Sequence, residues 1–421
     1  MGDAANPVAS AFRTSPALSK VGPSAITRMT AATAELRRQG RQIACMHLGE
    51  PDFGTPENIV ESAIRAMRAG DTHYTALDGT PEVKSAVQEK FSRENGIYFE
   101  SDQIVVTSGA KMLLFSAFFA TLSPGDEVIL PAPYWGSYGD IVEMMGARAV
   151  VLPTHAQDGF KLRAEDLERA ITPNTRWLLI NSPSNPSGAV YRKADYEAIL
   201  EVIERHPHVW FMIDDMYEHI IFQDEPFVTP AQLRPDLQGR ILTINGVSKA
   251  YAMTGWRIGY AGGPAPLIKA IKAVLSQSTS CACSIAQAAA AEALRGPQDS
   301  VRRYLGEYRA RRDLVMTELS HCPGLKANEP DGTFYAFVDW RSLRGTSTPR
   351  GETLTDDEDL CQYLLQDCGV SIVPGLAFGT EGYFRISFAS SEAELREGMA
   401  RIRDGCAALT GRVPTGGVAR R

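Results

Sequence analysis

Lys249 stands in the run NGVSKAYAMTGWRIGY (245–260), among Ser, Gly and Ala, and Arg257 is the only other charged residue in it. An amine in small, apolar surroundings near other cations has a lowered pKa, stays partly neutral, and condenses readily with an aldehyde. The guanidinium of Arg257 presents a planar fork that suits two oxygens of a phosphate better than an ammonium would.

Other groups with chemical potential sit where β-rich runs end. PAPYWGSY supplies Trp135 and Tyr138, NSPSNPSG supplies Asn185, and MIDDMYEHI supplies Asp214, Asp215 and Tyr217. In SGAK, Gly109 and Ala110 open a helix whose N-terminal amides can meet an anion. Each has a structural reading alone: aromatics fill cores, Asn-Pro makes turns, Asp caps helices, and small residues pack βα turns. Together they offer a ring-stacking surface, a hydroxyl, a carboxylate, an amine and a guanidinium. The ligand that uses all of them is a planar aromatic with a ring nitrogen, an aldehyde and a phosphate, and pyridoxal 5′-phosphate meets each requirement. Asp214 would keep the pyridine nitrogen protonated, making the ring an electron sink. Lys249 would bind the aldehyde, Arg257 the phosphate, Trp135 the ring face, and Asn185 and Tyr217 the phenolate oxygen.

These residues need a scaffold that brings strand ends together. Seven β-rich runs, at 102–109, 126–131, 147–153, 175–182, 208–215, 240–246 and 255–263, alternate with helical or turn-rich stretches. That is the pattern of an α/β fold with a mostly parallel seven-stranded sheet flanked by helices, whose ligands bind at the carboxyl ends of the strands. After Pro297 a long Arg-rich helix and strands at 332–340 and 383–390 indicate a smaller α+β domain. The expected division is an N-terminal arm (1–20), a small domain from 21–60 and 297–421, and a large cofactor-binding domain (61–296). The last ten residues, RVPTGGVARR, read as a disordered tail.

Composition narrows the partners. The 421-residue chain is 44% hydrophobic with a net charge of −7 and no basic block, which argues against nucleic acid. Its longest nearly apolar stretch, MLLFSAFFATL (112–122), is too short to span a bilayer and reads as a buried helix. No basic and apolar leader opens the chain, so a cytoplasmic location is expected. Seven scattered cysteines without a CxxC pair suit reduced thiols. Cys281 and Cys283 lack a second ligand pair, so no metal is expected.

LGEPDF (48–53), YTALDGTPEVKSAV (74–87), SNPSG (184–188), DDMY (214–217), SKAYAMTGWRIGY (248–260) and FRISFA (384–389) resemble the marker segments of class I aminotransferases, the aspartate aminotransferase family of fold-type I pyridoxal phosphate enzymes. The resemblance implies that Ser248 joins Arg257 and the Gly109–Ala110 turn on the phosphate, and that Arg385 grips the substrate α-carboxylate with Gly49 behind it. It implies a homodimer with shared sites, in which Tyr74 reaches the neighbouring subunit's phosphate. The GAK turn resembles the branch that uses a lysine, here Lys111, for the second carboxylate of aspartate or glutamate, and some members of that branch accept prephenate. The expected activity is ping-pong transfer of an amino group between an amino acid and a 2-oxo acid, with Lys249 as the general base. Asp215 stands where many relatives carry Glu, and CAC (281–283) where they carry Asn, Pro or Ser, which bears on substrate choice. An aromatic or broad-specificity aminotransferase and a carbon–sulfur lyase are the alternatives on the same scaffold. A transcription-regulator sensor would need a DNA-binding module that the residues before LGEPDF do not resemble.

Overall fold

The computed structural model describes residues 13–18 and 21–411, so the tail after 411 and most of the N-terminal arm lie outside the described residues. Its largest sheet has seven strands in the order Ile104–Thr107, Gly259–Gly262, Ile241–Gly246, Trp210–Asp214, Thr175–Asn181, Glu127–Ala132, Arg148–Pro153. Gly259–Gly262 runs antiparallel to both neighbours and the other pairings are parallel. All seven strands fall within or beside the β-rich runs, and the fold is the expected α/β class.

Period-two alternation sends successive side chains to opposite faces. Ile104, Val106, Leu178, Ile180, Phe211 and Ile213 join one core with the helices Glu57–Arg68, Pro81–Asn95, Lys193–Arg205 and Ser284–Arg295. Val105, Trp177, Leu179, Met212, Leu242 and Ile244 join the other, against Ala110–Thr121, Ser137–Met144 and Ala265–Ser276. Coverage on both faces explains why these strands read as continuous apolar runs. The helix Ala110–Thr121 is only partly the buried helix expected from MLLFSAFFATL, because Phe119 is 59% exposed. Among the described residues, no helix is long and apolar enough to cross a membrane.

A four-stranded antiparallel sheet orders Val373–Pro374, Tyr383–Ser387, Tyr335–Asp339 and Lys326–Ala327. The strand Ala44–Cys45 pairs in parallel with Val370–Ser371, tying residues before 60 to the C-terminal part. Asp299–Ser320 and Glu392–Ala408 cover a third core that contains Tyr308, Phe334, Trp340, Ile386 and Ile402, and also Met216 and Tyr217 from the turn after Asp214.

The expected strand at 255–263 begins later than the sequence suggests. Thr254–Trp256 is a single 3-10 turn, and Arg257 has φ 57° in the left-handed region, so regular pairing starts at Gly259. Gly246 pairs with Gly259, and Gly259 with Thr107, which places the loop 247–258 and the Gly109 turn on the sheet edge that also ends in Asn181 and Asp214.

Candidate active site

That edge opens into a cleft of about 330 Å³. Of the residues named from sequence, Gly49, Ala110, Lys111, Trp135, Asn185, Asp214, Tyr217, Ser248, Lys249, Arg257 and Arg385 line it. Gly109 lies just behind the wall. It caps the helix Ala110–Thr121 with φ 87°, and a Cβ there would collide with the Arg257 guanidinium. A Cβ at Gly259 would likewise strike the Ala110 amide, so the close approach of helix N-terminus to strand depends on both glycines. Tyr74 is not in the cleft and is 92% exposed.

Lys249 Nζ donates to the Gly49 carbonyl at 2.7 Å. Burial lowers its pKa to about 8, helped by Arg385 and Arg257 and opposed by Glu50 and Asp214. Asp214 ends its strand with Oδ2 accepting from Tyr138 Oη (2.7 Å) and Oδ1 from the Met216 amide (3.2 Å). Burial pushes its carboxyl up, against those two donors and Lys249, so a cation at the open side of the carboxylate would favour the charged form. Asn181 Nδ2 donates to the Asp214 carbonyl at 2.7 Å and its Oδ1 accepts from the Asn185 amide at 2.7 Å, which ties two adjacent strand ends together.

Arg385 is fully buried. Its Nη1 donates to Asn185 Oδ1 (2.9 Å), its Nη2 to the His47 carbonyl (2.6 Å), and it lies 4.3 Å from the Tyr335 ring centroid. Its Nε has no hydrogen-bond partner. The phenols of Tyr217 and Tyr335 are 3.0 Å apart, and burial holds Tyr217 protonated. Lys111 Nζ lies 4.5 Å from the Trp135 ring centroid and donates to Ser137 Oγ at 3.1 Å. Burial lowers its pKa, and Arg257 adds to the effect.

Sequence reasoning missed the parts played by Tyr138 and Tyr335. Tyr138 follows Trp135 in PAPYWGSY, but its bond to Asp214 requires two strand ends to be neighbours in space. Tyr335 lies in an ordinary β-rich run with no chemical signal. Asp215, the departure from the commoner Glu, faces away from the cleft, where its Oδ2 accepts from Thr229 Oγ1 at 2.7 Å. Cys281 Sγ accepts weakly from the Thr75 amide at 3.4 Å.

Residues 44–402 match the family described as "Aminotransferase class I and II". The chain belongs to that family. This aminotransferase is 53% identical over 399 residues to the aspartate aminotransferase of Rhizobium meliloti (strain 1021), covering 95% of this chain and 97% of the relative. It is 50% identical to the aspartate/prephenate aminotransferase of Cereibacter sphaeroides, covering 93% and 98%. A crystal structure of the Rhizobium meliloti aspartate aminotransferase superposes with a TM-score of 0.92 at 53% identity, over 95% of this chain and all (100%) of that one. The Thermus thermophilus aspartate aminotransferase with maleate superposes at 0.86 with 40% identity, over 93% and 99%.

Proposed function

We propose that this aminotransferase uses pyridoxal 5′-phosphate to move an amino group between aspartate or glutamate and a 2-oxo acid. The observation that carries the reading is one cleft holding a low-pKa lysine, a buried carboxylate and cations at two ends. The cleft fits the cofactor: a Cβ at Gly109 would strike the Arg257 guanidinium, so glycine lets that turn and the arginine lie together, and the helix N-terminus beside them favours an anion. Arg257, Ser248 and the Gly109–Ala110 turn would hold the phosphate, Trp135 the ring face, and Asp214 the ring nitrogen. Tyr217 would donate to the phenolate oxygen. Asn185 would donate there too, because its side-chain oxygen is already committed to Arg385.

When bound, the cofactor supplies an aldehyde that holds the amino group and a protonated ring that accepts the electron pair released at the α-carbon. The protein's own groups do the rest. Arg385 holds the α-carboxylate, with the Gly49 backbone close by because a Cβ there would strike the Tyr335 hydroxyl. Lys249 Nζ takes the α-proton as general base and gives it back on the far side of the reaction. Tyr138 keeps Asp214 oriented. Loading the protein with cofactor, adding a panel of amino donors with 2-oxoglutarate and following the cofactor spectrum tests the reading. Aspartate and glutamate should be turned over in preference to apolar donors, and absence of transfer with every donor would refute it.

Lys111 is assigned the distal carboxylate. Removing one partner of a partly desolvated ion pair costs on the order of 2–5 kcal/mol. Lys111→Met is therefore expected to depress kcat/KM for aspartate and glutamate far more than for phenylalanine or alanine. Equal losses would assign Lys111 to the cofactor instead.

A second reading includes a bulkier, ring-bearing acid such as prephenate. An adjoining cleft of about 540 Å³ shares Ile26 and Trp135 with the first and gives such a substrate room. Turnover of prephenate with an amino donor is the direct check.

The working unit is a homodimer with shared sites, a reading supported by Tyr74, a large aromatic left uncovered on its own chain. Mixing Tyr74→Phe with Lys249→Ala subunits should yield hybrids in which one site carries both lesions and the other neither. Recovered activity is expected, and none despite demonstrated subunit exchange would argue against sharing. The cytoplasm is the proposed location, and the division into an arm (1–20), a small domain (21–60 and 297–421) and a large domain (61–296) is proposed with it.

A further inference from the structure

Behind the cleft lies a charged cluster that none of the roles above uses. Lys90, on the helix Pro81–Asn95, is fully buried (0% exposed). Its Nζ is ion-paired with Glu218 and donates to Asn95 Oδ1 at 2.7 Å, with Glu94 at 3.8 Å. Glu218 accepts from Asn245 Nδ2 (2.8 Å) on one oxygen and from Asn95 Nδ2 (2.9 Å) on the other. His219 bonds Glu94 at 2.9 Å and lies 3.7 Å from Glu218. The ligand atoms of Glu94, Glu218 and His219 lie within 4.8 Å of one another, a grouping that could hold a metal ion, and the ammonium of Lys90 sits against it as a built-in cation.

A buried ion pair is a weak source of net stability compared with apolar groups of the same volume. What it supplies is geometry: a carboxylate held by three donors, two from the helix Pro81–Asn95 and one from the strand Ile241–Gly246, has little freedom to move. The segments are informative. Glu218 lies in the turn that follows Asp214, and Asn245 lies at the end of the strand Ile241–Gly246, just before Ser248 and Lys249. Asn245 also braces its own strand end, since its Oδ1 accepts from the Gly246 amide at 2.7 Å. Asp215, buried beside Asp214, has one oxygen without a hydrogen-bond partner; burial pushes its carboxyl well up, and the Lys90 ammonium opposes that shift.

We propose that Lys90 and Glu218 are positioning residues of the active site, whose buried pair, through Asn245, fixes the strand end that launches Lys249 against the turn that follows Asp214. The proposal rests on the roles assigned to Lys249 and Asp214 in the preceding reading. Misplacing a reacting group by a fraction of an ångström slows chemistry more than it weakens substrate binding.

The test compares the cofactor-loaded wild type with two variants. In Lys90→Met/Glu218→Met the charges are removed together, so thermal stability should recover relative to Glu218→Met alone. The pH midpoint of the bound cofactor's visible absorption should nonetheless move, and kcat should fall by roughly ten- to a hundredfold with KM for the donor little changed. Asn245→Ala keeps the ion pair but removes its tether to the lysine strand, together with the Oδ1 bond to the Gly246 amide, and the same shift in midpoint and loss in kcat are expected. A wild-type midpoint together with wild-type kcat in either folded variant overturns the proposal and makes the pair a packing feature. If the double variant does not fold, Asn245→Ala decides alone. A wild type that shows no visible cofactor band would overturn the cofactor assignment itself, and this proposal with it.

Discussion

Lys249→Ala is expected to lose the yellow colour of the cofactor-loaded protein and to lower turnover by at least about four orders of magnitude, since the proposed mechanism makes one amine both the aldehyde's partner and the general base. The lesion should be chemical rather than structural, because Lys249 opens into the cleft and its ammonium donates to the Gly49 carbonyl. Wild-type protein freed of cofactor offers a companion measurement. Only the neutral amine attacks an aldehyde, and Nζ has a pKa of about 8, lowered by burial first and then by Arg385 and Arg257. The rate of cofactor capture should therefore rise with pH and level off above about 8, where a solvent-exposed lysine would still be climbing. A variant without Lys249 that retained colour and turnover would remove the basis for the mechanism.

Asp214→Asn should come next in size, with kcat down by at least about two orders of magnitude. The amide keeps the shape and can still meet Tyr138, but it carries no charge to hold the ring nitrogen protonated. Because burial already pushes the Asp214 carboxyl up, the aspartate is ionised most firmly when a cation faces it, so cofactor and carboxylate stabilise each other's charged forms. Cofactor affinity should fall along with kcat. Measuring both separates this role from a purely steric one, which Asn would satisfy, and an Asn variant with full activity would reassign Asp214.

Most strands of the large sheet were legible because they are covered on both faces and so are written as apolar runs, whereas the partly exposed edge strand Arg148–Pro153 was legible from its β-branched residues. The two-residue strands at Ala44–Cys45, Lys326–Ala327, Val370–Ser371 and Val373–Pro374 were not, since pairings that short leave no periodicity to detect. Among the cleft residues, those with a distinctive side chain at a strand end could be named in advance. Tyr335 could not, and Tyr138 could be named but not given its role, because their importance comes from partners contributed by other strands. Lys90 was least visible of all: in KFSREN it resembles any solvated lysine on a helix, and only the folded chain shows it enclosed beside Glu218. Arg257 illustrates a different limit. Its type suggested a phosphate, but its left-handed backbone, which delays the following strand to Gly259, is a tertiary outcome.

The antiparallel strand Gly259–Gly262 has one further consequence. In an all-parallel sheet, leaving the strand Ile241–Gly246 would commit the chain to a helical crossover before it could return to the same edge. Here the chain doubles back at once, and the short excursion between Gly246 and Gly259 carries both Lys249 and Arg257. The separation between the amine and the guanidinium is thus set by a single hairpin, like the jaws of a caliper, whatever shifts occur among the surrounding helices. A ligand gripped by an aldehyde at one end and a phosphate at the other is gauged for length by that hairpin. Insertions elsewhere on this edge should alter which substrates enter, whereas one added residue between 249 and 257 should change which cofactor fits.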